Sequence, residues 1–304
     1  MSTVLVTGAA GFIGASVIES LKHKGFTIHA VWYNRPPNID SSLVKWHKAN
    51  LLNLNDIQHL LARVRPTYLI HLAWCTSQDK YWTDPSNLQW LTSGIELARC
   101  FVNNGGRRCI FAGTSAEYDW TTGQVLKEGV SILNPQKLYG GSKLGLYWIL
   151  KRYFEQEDVG FAWTRFFNPF GERENVKRLI PKTCLRLLNG ENLFFDAARS
   201  LRDFLHIKDI GSAIVSVLQS KINGPVNIAS GIAVSVRDVI TTIAEIYQTE
   251  EQVHFSEDVP DLGAPDAVVA DIELLTLDCN WSPDASFRER LEQTCAWWKT
   301  QNKQ

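Results

Sequence analysis

The segment VLVTGAAGFIGASVIESL, residues 4–21, constrains the chain more than any other stretch. Its first residues, VLV, read as a buried strand. The strand breaks into a turn holding Gly8, Gly11 and Gly14, and beyond Phe12 the apolar residues recur with a helical period. Strand, glycine turn and helix in that order predict the opening unit of a doubly wound sheet. There the glycines permit a tight turn and let backbone N–H groups approach a pyrophosphate at the helix N-terminus. Three glycines at this spacing are a weak signal alone, because a glycine-rich turn also serves purely structural ends. Their place between a strand and a helix makes dinucleotide binding the stronger reading.

The alternation continues. TVLV (3–6), TIHAVW (27–32), YLIHLA (68–73), RCIFAG (108–113) and FAWTRFF (161–167) read as buried strands, with helix-period segments near 12–23, 54–64, 86–103 and 138–156. This rhythm predicts right-handed βαβ units and a parallel sheet. The expected fold is α/β: a Rossmann doubly wound parallel sheet over residues 1–167 and a smaller C-terminal α/β substrate lobe over 168–304, with part of that chain returning to the first domain. Within the lobe, the loop NPFGEREN precedes the helix-like VKRLIPKTCLRLLNGE, and Pro283 suits the first turn of the last helix.

Composition excludes several classes. The chain of 304 residues has a net charge of −1 and no basic block, which argues against a nucleic-acid partner. No apolar run approaches the ~20 residues of a membrane-spanning helix. The six cysteines (75, 100, 109, 184, 279 and 295) lack CxxC pairing and histidine partners at zinc spacing, so no metal is expected and reduced thiols are. The opening apolar run is short and lacks the basic flank of a secretory leader, so a cytoplasmic location is the expectation. Most of the eleven tryptophans are expected in the core, although a ring-rich pocket for a sugar or base would use the same residues.

The end of the second predicted strand bears on which dinucleotide binds. NAD sites place an acid there for the ribose 2′-hydroxyl. Here the chain reads AVWYNRPPN, with no acid before Asp40 and with Arg35 close by. A 2′-phosphate would be drawn to Arg35, so NADP(H) is favoured, with NAD(H) the alternative; a solvated loop arginine is the bland reading.

In NPQKLYGGSKLGLYWIL, Tyr139 and Lys143 stand four apart on one helix face. An ammonium beside a phenol stabilises the phenolate and brings its pKa, ordinarily about 10, toward the range of a general acid/base. The spacing alone proves little, because Tyr147 and Lys151 repeat it further along the helix. Tyr139, following Pro135 at the helix entrance, is the one placed to face a cleft.

Taken together, VTGAAGFIG, IHLAW, FAGTSAEY, LYGGSK, RFFNPFG, RDFLHIKDI and VNIASG resemble the extended short-chain dehydrogenase/reductase family, the nucleotide-sugar epimerases, dehydratases and ketoreductases. The resemblance implies a seven-stranded sheet, a small substrate lobe, a nucleotide-sugar substrate and a homodimer formed through a helix bundle. By position, Tyr139 corresponds to the proton donor, Lys143 to its partner at the nicotinamide ribose, and Thr114 to the hydroxyl that orients the substrate oxygen. Gly8, Gly11, Phe12, Ile13 and Gly14 match the phosphate loop and Arg35 the 2′-phosphate site. Asn50 and Leu51 match the adenine site, and Leu72 and Ala73 the cofactor-lining strand end. Asn168 and Arg202 match substrate positions, an ion pair of Arg202 with Asp203 or Asp209 being the alternative; Ser115, beside Thr114, and Arg178 are further substrate-binding candidates. His71 and His206 are expected as packed core residues.

The resemblance also discriminates between reactions. The 4,6-dehydratases carry Asp-Glu directly after the threonine, whereas here Ser115 and Ala116 follow Thr114. Glu117, one place further, turns to the opposite face of a strand-like segment, where a structural role is expected. An NADPH-dependent 4-ketoreductase like CDP-abequose synthase is the favoured expectation, with an NAD-dependent 4-epimerase as alternative. A non-catalytic dinucleotide sensor would be expected to lose Tyr139 or Lys143. A second pyrophosphate arginine is missing from EDVPDLGAPDA, which leaves Arg202 with Lys177, Arg178 or Lys182 to hold phosphate, or implies a less charged substrate.

Overall fold

The computed structural model describes residues 2–22, 24–34, 42–75, 80–123, 125–256 and 265–302. The strands in chain order are β1 (Thr3–Thr7), β2 (Thr27–Trp32), β3 (Val44–Lys48), β4 (Tyr68–His71), β5 (Arg108–Thr114), β6 (Gly160–Phe166), β7 (Asn168–Phe170), β8 (Leu193–Phe195), β9 (Leu201–His206), β10 (Gly224–Ile228), β11 (Ala233–Ser235), β12 (Val253–Phe255) and β13 (Ala267–Val268). Seven of them form the central sheet in the order β10-β6-β5-β4-β1-β2-β3. Every pair is parallel, as a buried sheet fed by crossover helices requires. This is the expected Rossmann-like α/β fold.

The helices are α1 (Phe12–Leu21), α2 (Leu54–Val64), α3 (Ser86–Asn103), α4 (Leu138–Gln156), α5 (Leu179–Leu188), α6 (Ile207–Gln219), α7 (Val236–Tyr247), α8 (Glu273–Leu277) and α9 (Phe287–Gln301). On one face of the sheet α1 packs against α6, burying Val17, Ile18, Ile214 and Val217. On the other lie α2, α3 and α4, with Leu61, Leu97, Leu146 and Phe154 inside. A third core joins α5, α7 and α9 to Phe170 and Phe204. The chain beyond residue 167 thus builds that third core and returns α6 and β10 to the main sheet.

Two elements differ from the sequence reading. The strand β3 carries Lys45, His47 and Lys48 and lies at the sheet edge, so it lacks the apolar run that marks its neighbours. The last helix starts at Phe287 instead of beside Pro283. Ser286 caps it, accepting from the Glu289 N–H while the Glu289 carboxylate accepts from the Ser286 N–H, a reciprocal capping box.

Candidate active site

The parallel strands end at a cleft of about 1940 Å³, lined from both the sheet and the C-terminal elements. At its N-terminal corner, Gly8 adopts φ +67° and a Cβ on Gly14 would meet the Gly8 carbonyl oxygen at 2.1 Å. Only glycine permits this approach of helix to strand. Helix α1 has Gly11 at its cap, no side-chain cap bond and no acid in its first turn, so its first N–H groups face the cleft unclaimed by a side chain. Phe12, Ile13, Leu51, Leu72 and Ala73 also line this end. Asn50 does not: its N–H donates to Asp56 at 2.8 Å and its side-chain oxygen accepts from the Leu52 N–H at 3.1 Å. Its neighbours Ala49 and Leu51 take the lining position. Arg35 lies outside the described residues; just before it Trp32, Tyr33 and Asn34 border the cleft.

Thr114 ends β5 above the middle of the cleft. Its hydroxyl accepts from the Ala116 N–H at 3.2 Å and lies in the same cleft lining as Tyr139, whose pKa it pulls down. Lys143, one turn along α4 from Tyr139, is buried and donates from Nζ to the Ala112 carbonyl at 2.6 Å. Burial lowers its pKa to about 7 against the opposing pull of Glu117. The expected depression of the Tyr139 phenol by Lys143 is not found. Burial, with Tyr81 and Glu117 adding to it, pushes that phenol up, and the Thr114 hydroxyl only partly opposes them. Tyr139 is therefore held in its neutral, protonated form.

Glu117 is fully buried and faces away from the cleft, as expected. Its carboxylate accepts from the Thr114 N–H at 2.9 Å, from Trp163 Nε1 at 2.9 and 3.0 Å, and from Arg165 Nε at 2.8 Å. The ion pair is buried on both sides. This carboxylate fixes the turn that aims Thr114, with both oxygens engaged by buried N–H donors. Tyr118 is likewise structural, donating to Asn227 Oδ1 at 2.9 Å and accepting from Arg165 at 3.1 Å. Ser115 lines the cleft beside Thr114.

On the far wall, Asn168 donates to the Asp203 carbonyl at 3.0 Å. Arg178 pairs with Glu174 at 2.7 Å, and burial raises Glu174 to about 7. Arg202 donates to the Leu201 and Pro265 carbonyls at 2.8 and 2.9 Å while lining the cleft. Its alternative carboxylate partners are engaged elsewhere: Asp203 accepts from Ser230, Gly231 and Ala270, and Asp209 pairs with Arg290 at 2.5 and 2.7 Å. His71 is buried against the Thr7 hydroxyl at 2.8 Å, and burial lowers its pKa to about 3. His206 is buried too and caps α6 by accepting from the Lys208 N–H at 3.3 Å. Among the described residues no cluster of three or more His, Cys, Asp or Glu could hold a metal ion.

An aromatic wall surrounds Tyr139, built from rings that the sequence pattern allowed for in a pocket but did not locate. The rings of Tyr81 and Trp82 stand edge-on to it at 5.0 and 5.7 Å between centroids, and Trp120 stands edge-on to Trp82 at 6.3 Å. The only local signal is the pair Tyr81-Trp82 in an otherwise polar loop.

A glycine turn at the carboxyl ends of a parallel sheet, with a threonine, tyrosine and lysine beside it, defines a Rossmann-type protein of the extended short-chain dehydrogenase/reductase class. Residues 4–229 match the NAD dependent epimerase/dehydratase family, and the chain belongs to this family of enzymes. It is 25% identical to UDP-glucuronic acid decarboxylase 1 of Danio rerio over 96% of this chain and 71% of that one. With CDP-abequose synthase of Salmonella muenchen it shares 23% identity, covering 83% of each. The solved UDP-N-acetylglucosamine 4-epimerase of Methanobrevibacter ruminantium, in complex with UDP-N-acetylmuramic acid, superposes with a TM-score of 0.88 at 25% identity over 99% of both chains. Among the described residues no helix is long and apolar enough to cross a membrane.

Proposed function

We propose that this protein reduces the 4-keto group of a nucleotide-linked 4-keto-6-deoxy sugar with NADPH. The observation that carries the reading is the arrangement at Thr114: its hydroxyl, the Tyr139 phenol and Lys143 one turn further along α4 line one cleft, and the nearest acid is locked onto Arg165. Such a site can give a proton to a carbonyl oxygen but has no free acid/base pair there for eliminating water.

The glycine turn and the open α1 terminus fit a dinucleotide pyrophosphate, and a bound dihydronicotinamide would supply the hydride. As carbon 4 gains that hydride, Tyr139 protonates the oxygen, so C=O becomes CH–OH and the cofactor is oxidised. Thr114 holds the oxygen, and the Lys143 ammonium, one turn along α4, returns a proton to the phenolate before solvent recharges the lysine. Ser115, Asn168, Arg178 and Arg202 bind the substrate, which the Tyr81, Trp82 and Trp120 rings meet at an apolar edge suited to a C6 methyl. The absence of an acid before Asp40 at the end of β2 favours NADP(H), and Arg35 is the residue for its 2′-phosphate.

Residues 1–167 serve as the dinucleotide-binding domain and 168–304 as the substrate lobe. Exposed Leu88 on α3 with Trp148 and Ile149 on α4 support a homodimer through these helices. The likeness to the 4-epimerase keeps one second reading alive, a nucleotide-sugar 4-epimerase holding NAD. Consumption of NADPH with CDP-, dTDP- and GDP-linked 4-keto-6-deoxyhexoses, alongside mass analysis of cofactor released from the purified protein, separates the two. No reduction of any of them, with NAD carried on the protein and a nucleotide hexose epimerised, would reject the reductase.

A further inference from the structure

The ammonium of Lys143 has a second partner that no motif announced. Its Nζ lies 3.8 Å from the centroid of the Trp74 ring, over the indole face, while donating to Ala112. The indole is itself fixed. Its Nε1 donates to Asn87 Oδ1 at 2.7 Å, and it stacks on Trp90 at 6.1 Å between centroids. Asn87 is fully buried on the first turn of α3, and its amide nitrogen donates to the Tyr81 carbonyl at 2.7 Å and the Asp84 carbonyl at 2.8 Å. The loop it holds carries Tyr81 and Trp82, whose rings flank Tyr139, and the Trp82 carbonyl accepts from the Tyr139 N–H at 3.1 Å. One buried amide therefore ties together the surfaces that seat both the lysine and the tyrosine.

We propose that Trp74 is a positioning residue of this site: its π-face seats the Lys143 ammonium, and Asn87 locks the indole in place and couples it to the wall behind Tyr139. A buried ammonium loses its hydration shell, and a ring quadrupole replaces part of it where a carboxylate would bind too tightly for a working proton relay. The other titratable groups facing this lysine are Glu117, which favours its charged form, and His71, which burial and Lys143 itself hold neutral. The inference rests on the role given to Lys143 under the proposed function, so its primary test needs no substrate.

The test follows the titration of Lys143 in the full-length protein through its ¹³Cε resonance, assigned by loss in Lys143→Met. Trp74→Phe, which keeps a π-face, should leave the midpoint nearly unchanged. Trp74→Leu should lower it by about one pH unit, because the charged form loses its seat. An unchanged midpoint in Trp74→Leu overturns the proposal. So does a rise, which would mean that the indole only kept water out. Asn87→Leu should shift the midpoint in the same direction as Trp74→Leu; if that variant does not fold, the Trp74 pair decides alone. Once a substrate is in hand, the alkaline limb of the kcat/KM profile should move with the lysine midpoint. Failure to find any substrate leaves the titration result standing and counts against the proposed function only.

Discussion

Helix α4 carries the same sequence pattern twice, and the two copies have different fates. Tyr139 and Lys143 line the cleft; Tyr147 is buried among Phe161 and Trp163, and Lys151 reaches solvent beside Glu155 at 3.7 Å. Spacing, helix and residue types are identical. The difference lies in what surrounds each pair. Lys143 has a carbonyl and an indole in place of water, and Tyr139 has the Thr114 hydroxyl. Lys151 keeps its hydration, and Tyr147 contributes ring surface to the core. A tyrosine and a lysine four apart become a proton relay only where the fold removes water from the lysine and leaves the phenol facing a cavity.

The largest effect that would break this comparison is a loss of turnover confined to one copy. Tyr139→Phe should lower kcat about 10³-fold while leaving dinucleotide binding intact, whereas Tyr147→Phe should retain turnover within about twofold. Steady-state rates and a cofactor titration on both variants check this, and equal losses would erase the distinction.

Next in size is the carboxylate that supports the first copy. Glu117→Gln leaves Arg165 charged and buried without its counter-ion, so unfolding in urea should show a loss of about 3 kcal/mol. A neutral result would mean that the Glu117–Arg165 pair does not hold the Thr114 turn.

The lysines should separate by pH. Unfolded Lys143 titrates near 10.5 and the folded one at about 7, so between these values the unfolded chain binds more protons and stability rises with pH. Lys143→Met should therefore raise the melting temperature near about pH 7, with the gain shrinking toward about pH 10. Lys151→Met, at an exposed ion pair, should change stability by less than about 0.5 kcal/mol at either pH. A pH-dependent gain in both variants would place the two lysines in the same environment.

Much of this was legible in the chain. The first four helices follow amphipathic periods of their own, and the glycine turn, Thr114, Tyr139 and Lys143 sit in short contiguous motifs. The edge strand β3 was not legible, because half-exposed edge residues need no apolar run. Neither was the Trp74–Asn87 clamp. Its members come from the end of β4, the loop before α3 and α3 itself, and the pairing of β4 with β5 together with the packing of α3 on α4 brings them over Lys143. Glu117 was legible in direction but not in cause: Ser115–Glu117 form a 3₁₀ turn after β5 and not a continued strand, and the arginine and tryptophan awaiting Glu117 on β6 were not legible.

The most direct test of the central claim follows the hydride. With NADPH deuterated at the transferring position and a nucleotide-linked 4-keto-6-deoxyhexose, the product should carry deuterium at carbon 4, with one NADP⁺ formed per sugar reduced and product formed about 10³-fold more slowly by Tyr139→Phe. A sugar inverted at carbon 4 without label, made by protein that retains its own NAD, would contradict the account.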